Sequence, residues 1–199
     1  MAKQPLQRLQ DRSSYSKTAM EILTYSYYDR MKIDGATPRL VNRLFQTPLG
    51  QAGKTLADTN IPNAGQLPQG QSFVVEALKI FYLSRTAKAT ANVQQIYTLL
   101  QDTVLEMIVP GKDNLGQFTL DEILGASTLI AMTPTAAGDN IPMIQPNYVG
   151  VKRLKKPWTI GAVQSFEVRL TTVAATSMPD ALSGDYIKIA LCGTLSRMS

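Results

Sequence analysis

YIKIALCGTL, residues 186–195, places Ile187, Ile189, Leu191 and Leu195 on one side of an extended chain and Tyr186, Lys188, Ala190 and Thr194 on the other. SFEVRLTTV, residues 165–173, repeats the pattern: Phe166, Val168 and Leu170 point one way, Glu167, Arg169 and Thr171 the other. Alternation of this kind marks a strand with one face on a core and one toward water, the signature of an antiparallel sheet. MPDALSGD, residues 178–185, lies between the two and supplies turn chemistry.

Reading back from this pair, SFVVEALKIFYLS, residues 72–84, is evenly apolar and β-rich, which predicts a long central strand covered on both faces. ANVQQIYTLLQD, residues 91–102, returns to helical spacing through Val93, Ile96, Tyr97 and Leu100. TVLEMIV alternates, and PGKDNLG turns into QFTL. DEILGASTLIAM, residues 121–132, fits either a short helix or a strand. Residues 46–70 carry glycine or proline every few positions, which predicts a long irregular connection, and residues 133–159 read as loop for the same reason.

At the other end, residues 1–15 are polar and basic without an apolar period, and read as an arm. Met20, Leu23, Tyr27 and Met31 recur at helical spacing, so Ser16–Lys32 is expected to form an amphipathic helix, ended by Gly35 and Pro38. The chain thus divides into a basic arm with its helix, residues 1–44, and a β domain, residues 45–199. Strands at irregular spacing with long loops and no βαβ alternation argue a β-sandwich. The fold class expected is mainly β, with one or two inserted helices.

The composition narrows the chemistry. The 199 residues contain no histidine and one cysteine, Cys192, which removes Ser-His-Asp and Cys-His catalysis, His-ligated metals and any disulfide framework. No cofactor and no catalytic activity are expected. Charged residues make up only 18% of the chain, which suits a protein whose faces are covered by partners. The net charge of +5 is uneven: residues 1–43 hold eight Lys/Arg against four Asp/Glu, and residues 98–140 hold one against six. Such halves attract between neighbouring copies or within one fold. The N-terminus MAKQPLQRLQDRSS lacks the apolar core of a signal peptide, so synthesis in the cytosol is expected.

Four motifs bear on function. TPLGQAGKTLAD, residues 47–58, carries Gly53, Lys54 and Thr55 like the second half of a phosphate-binding loop, but Pro48 stands where the first glycine should be. Proline has no N–H to turn toward a phosphate, so a plain glycine-rich surface loop is the better reading. Lys152, Arg153, Lys155 and Lys156 precede Trp158 in VKRLKKPW, the densest basic cluster. It reads either as phosphate contacts beside an aromatic platform or, the favoured reading, as a solvated loop with Trp158 anchored in the sandwich. Lys3, Arg8, Arg12 and Lys17 form a second basic set that reads equally as a contact for nucleic acid or an acidic lipid surface and as a solubilising tail. Asp121 and Glu122 are adjacent carboxylates, which on a strand face opposite sides and make a poor acid–base pair.

The basic arm, the Pro/Gly-punctuated lead-in, the long strand, the inserted helix and the two closing strands together resemble the jelly-roll capsid proteins of tailless icosahedral viruses. NIPNAGQLPQGQSFVVEALKIF, residues 60–81, looks like the lead-in and early strand of such proteins in tailless bacteriophages, and DYIKIALCGTLSR looks like their last strand. The resemblance spans roughly residues 45–197. It implies a single jelly-roll β-sandwich that self-assembles into an icosahedral shell in the virion, without catalysis. Its partners would be copies of itself and other capsid proteins, with packaged nucleic acid or an underlying membrane met through the arm. The helix expected at Ser16–Lys32 departs from the family, and leaves a minor, scaffold-like or spike-base virion protein, or a nucleic-acid-binding one, as the alternative.

Overall fold

A computed structural model describes residues 20–33, 41–84, 90–111, 115–124, 129–132, 141–144, 151–172 and 182–198. Among them, ten strands form two antiparallel sheets. The strands are β1 (Met20–Lys32), β2 (Val41–Leu44), β3 (Gln71–Leu83), β4 (Thr103–Ile108), β5 (Gly116–Thr119), β6 (Leu129–Met132), β7 (Ile141–Ile144), β8 (Lys152–Ile160), β9 (Glu167–Thr172) and β10 (Tyr186–Met198). The larger sheet runs β1-β10-β3-β7-β6, with β8 also paired to β3; the smaller runs β2-β9-β4-β5. Helix α1 (Thr90–Gln101) connects β3 to β4, and the short α2 (Leu120–Leu124) follows β5. The molecule is mainly β, in the manner of a sandwich.

One core joins both sheets and both helices. The inward residues of β9 and β10 are those that alternation selects: Phe166, Val168, Leu170, Ile187, Ile189, Leu191 and Leu195 are all buried. From the smaller sheet come Leu44, Leu105 and Met107, and from the helices Ile96, Leu100, Leu120 and Ile123. Burial of aliphatic and aromatic side chains at about 25 cal/mol per Å2 is the main force holding the two sheets together.

The long strand β3 does not have both faces covered. Its evenly apolar texture comes from Val74 and Phe81 on the outer face and from a bulge: Cys192 pairs with Ala77 and the next residue, Gly193, pairs with Val75, so Glu76 is extra. An extra residue reverses the side-chain alternation. Phe73 and Val75 point inward before the bulge, and Leu78, Ile80 and Tyr82 after it, while Glu76 is exposed. Gly193 makes this possible, because a Cβ there would lie 1.9 Å from the carbonyl oxygen of Val74.

Two expectations are corrected. Met20–Lys32 is not a helix but a strand of 13 residues, paired with β10 from Met20↔Met198 to Lys32↔Tyr186. The sheets therefore take in residues before position 45. The reason lies in Asp29, which sits at an inward position, fully buried, where an apolar residue would have completed a period of two. The outward positions in turn carry Met20 and Ile22, both more than half exposed, so the alternation is masked from both sides. Residues 133–159 are likewise not all loop: β7 and β8 lie in them, and Pro157 is accommodated on β8, whose only strand partner among the described residues is β3. DEILGASTLIAM resolves into both of its readings, α2 followed by β6.

Candidate functional site

The glycine-rich loop at residues 47–58 uses its N–H groups on itself. Gly50 donates to the Lys54 carbonyl (3.0 Å), Gln51 to that of Pro48 (3.1 Å) and Lys54 to that of Gln51 (2.9 Å). Gly50 and Gly53 take positive φ, as these turns require. No row of donors is left to cradle a phosphate.

Lys54 itself turns inward. Its Nζ lies 2.5 Å from Oδ1 of Asp29, and Asp29 also accepts the N–H groups of Arg30 (2.9 Å) and Phe45 (2.6 Å). Phe45 holds φ +66°, a left-handed conformation that costs a non-glycine residue about 1 kcal/mol or more and is fixed here by that hydrogen bond. Beside this pair, Arg30 meets Asp58 at 2.5 Å, and Asp58 accepts the backbone N–H (2.8 Å) and hydroxyl (2.7 Å) of Thr55. Burial works against the Asp58 charge, but Thr55 and Arg30 hold its carboxyl down at about 2. Asn60 then covers the outer edge of β1, accepting from the Tyr28 N–H (2.8 Å) and donating to the Ser26 carbonyl (2.8 Å). The phosphate-loop lookalike is a clamp on an edge strand.

The basic cluster of VKRLKKPW lies on strand β8, not on a contact loop, and is divided by it. Lys152 pairs with Glu122 of α2 and stands over the Phe118 ring, 5.1 Å from its centroid. Trp158 is 6% exposed, against Phe118 and Gly116, where a Cβ would lie 2.6 Å from the indole. It anchors the core and offers no stacking platform. Arg153, Lys155 and Lys156 remain exposed. Asp121 and Glu122 open α2, and Asp121 accepts the N–H of Glu122 (2.8 Å). The arm residues Lys3, Arg8, Arg12 and Lys17 lie outside the described residues.

Nothing in the sequence pointed to the surface on which Arg153 takes part. The outer face of the larger sheet carries Arg30 on β1, Lys188 on β10, Lys79 on β3 and Arg153 on β8, on four adjacent strands. Arg30 stands directly opposite Lys188. Lys79 is opposite Ala190, one diagonal step from Lys188, and Arg153 is opposite Ala77, one diagonal step from Lys79. Lys79 and Arg153 flank an open groove of about 620 Å3 floored by Gly193 and edged by Thr24, Cys192 and Thr194. Lys188 lies over the Tyr28 ring at 3.7 Å and Arg30 over that of Tyr186 at 4.2 Å. Burial first, and then the Arg30 charge, lower the Lys188 pKa from its ordinary value. Besides Asp58 on Arg30, the carboxylate nearest this row is Glu76, which accepts from Thr194 (2.9 Å).

The outer face of the smaller sheet differs. Arg43 and Arg169 both meet Glu167, at 3.7 and 2.8 Å, and Glu106 accepts from Gln117 at 2.5 Å. There Arg43 and Arg169, directly opposite each other, share Glu167, and Glu106 stands opposite Arg169.

No protein-family model, no curated protein and no solved structure matches the chain.

Proposed function

We propose that this chain is a structural shell subunit, a single jelly-roll sandwich that self-assembles into the icosahedral capsid of a virus. One observation carries the reading, the order of the strands. With the β6–β7 hairpin treated as an insertion, eight strands stand as β1-β10-β3-β8 and β2-β9-β4-β5. Every step along the chain between these eight, except β4 to β5, crosses from one sheet to the other. This order supports the winding of a jelly roll of two Greek keys, an architecture used by viral shells as well as by sugar-binding and cupin domains. A fold does not fix a function. The low charge fraction and the absence of histidine favour the shell over the enzyme among these.

The alternative, a nucleic-acid-binding or minor virion protein, draws support from the cationic row described above and loses it at Lys152 and Trp158, which the fold consumes. Light scattering after size-exclusion chromatography, together with negative-stain images of the purified protein, tests the first reading. Closed particles of many copies are expected. A strict monomer at high concentration, which also fails to join any particle when mixed with the other proteins of its source, would overturn it.

A further inference from the structure

We propose that the outer face of the larger sheet, along the row Arg30, Lys188, Lys79 and Arg153, binds the phosphodiester backbone of a single nucleic-acid strand. Three features of the surface point there. The first is that the row is electrostatically unfavourable for the sheet itself. Like charges directly opposite each other on neighbouring strands destabilise a sheet, and Arg30 faces Lys188 in this way. Among the described residues no ion pair relieves Lys188, Lys79 or Arg153, whereas the opposite face of the sandwich pairs its arginines with Glu167. Asp58 offsets Arg30, so among the described residues the uncompensated charge is that of Lys188, Lys79 and Arg153. A polyanion relieves it.

The second feature is spacing. Four adjacent strands place the four cations along an oblique line of roughly 20 Å, one direct step of about 5 Å from Arg30 to Lys188 and two diagonal steps of about 7–8 Å each. A line of cations matches successive phosphates on one strand better than it matches a lone anion. The third is the surface between them. Around Lys79 and Arg153 the groove is edged by the short polar side chains of Thr24 and Thr194 over the bare backbone of Gly193, which lets a chain lie flat, and its one carboxylate, Glu76, accepts from the Thr194 hydroxyl. Phe81, directly opposite Lys188, is the apolar side chain set among the cations, and anionic vesicles are therefore a separate arm of the test. If the chain forms a shell, this face is the one turned to the packaged genome; that placement rests on the proposed function, while the binding itself does not.

The test is fluorescence anisotropy of a labelled oligothymidylate with the full chain across a salt series. Two variants probe the row: Lys79→Gln with Arg153→Gln, and the same pair with Lys188→Gln. Arg43→Gln with Arg169→Gln removes as many charges from the opposite face and serves as the control. The double variant is expected to weaken binding at least about tenfold and to reduce the salt slope by roughly 1.4, at about 0.7 per lost contact. The control should bind like the wild type. Equal weakening by the control, or no change in the double variant, overturns the proposal, the first showing a diffuse charge effect and the second a contact made elsewhere on the chain. Binding to anionic vesicles that follows the row while oligothymidylate does not bind also overturns it in favour of a lipid surface. Circular dichroism separates misfolding of the triple variant from lost binding, and the double variant stands without it. Because the assay uses free subunits, failure to form particles leaves its result intact.

Discussion

Gly193 of β10 lies against the carbonyl of Val74 on β3, so closely that no other residue fits between the two strands. The contact is made at the bulge where β3 takes up Glu76 as an extra residue. It keeps the inward positions aligned on both sides, Phe73 and Val75 before and Leu78, Ile80 and Tyr82 after.

Gly193→Ala is therefore expected to cost about 3 kcal/mol or more, since the neighbour it would meet is backbone and not a side chain that can turn away. Thr194→Ala, at the next position and on the outer face, should stay within about 1 kcal/mol. Urea denaturation of the two variants checks this. Equal losses would mean that the strands part easily at the bulge.

Lys54→Met leaves the fully buried Asp29 carboxylate without its cation and should cost about 3–5 kcal/mol. Asp29→Asn in the same chain should restore part of the loss, because the pair then carries no unmatched charge. Magnesium ATP should leave the wild-type melting temperature unchanged, as the N–H groups of Gly50, Gln51, Lys54 and Thr55 are already bonded. A rise in melting temperature with ATP that Lys54→Met abolishes would return the loop to the nucleotide binders.

The Asp58 carboxyl, held at about 2 in the fold against an ordinary 3.8, makes stability depend on acid pH. A carboxyl whose pKa is depressed by folding favours the fold fully above its unfolded value, and that contribution vanishes as pH falls through the folded one. The window is therefore about pH 4 down to pH 2, and the size about 1 kcal/mol once solvent screening is allowed for. Asp58→Asn should be less stable than the wild type at neutral pH and should flatten this part of the stability–pH curve. Denaturation midpoints measured across the window decide it, and a curve of unchanged shape would exclude Asp58 as its source.

On β10 the two faces should respond unequally. Ile189→Ala, fully buried between the sheets, is expected to cost about 2–5 kcal/mol through lost burial and the cavity left behind. Lys188→Ala loses a contact with the Tyr28 ring and gains relief from Arg30, so the net change should stay within about 1 kcal/mol. Chemical denaturation of the isolated subunits measures both, and a similar loss at the two positions would contradict the one-sided burial of this strand.

The sequence by itself determined the parts of the molecule where one face meets the core and the other meets water. Alternation in 165–173 and 186–195 predicted β9, β10 and their buried residues, and helical spacing over residues 91–102 predicted α1, which forms at Thr90–Gln101. It spoke equally, through the proline at position 48, against a phosphate loop at residues 47–58. Tertiary structure decided the rest, wherever a residue answers to a partner distant in the chain. Asp29 occupies an inward position of β1 because Lys54 and the Phe45 N–H meet it there, and without them its burial would be prohibitive. A polar residue at that position makes a strand read as a helix. Lys152 and Trp158 look like ligand contacts until Glu122, Phe118 and Gly116 are brought beside them. Arg30, Lys79, Arg153 and Lys188 are separated by tens of residues, and only the pairing of four strands sets them in a row. Local periodicity reports burial; which charges become neighbours is fixed by strand order and register, and these depend on the whole chain.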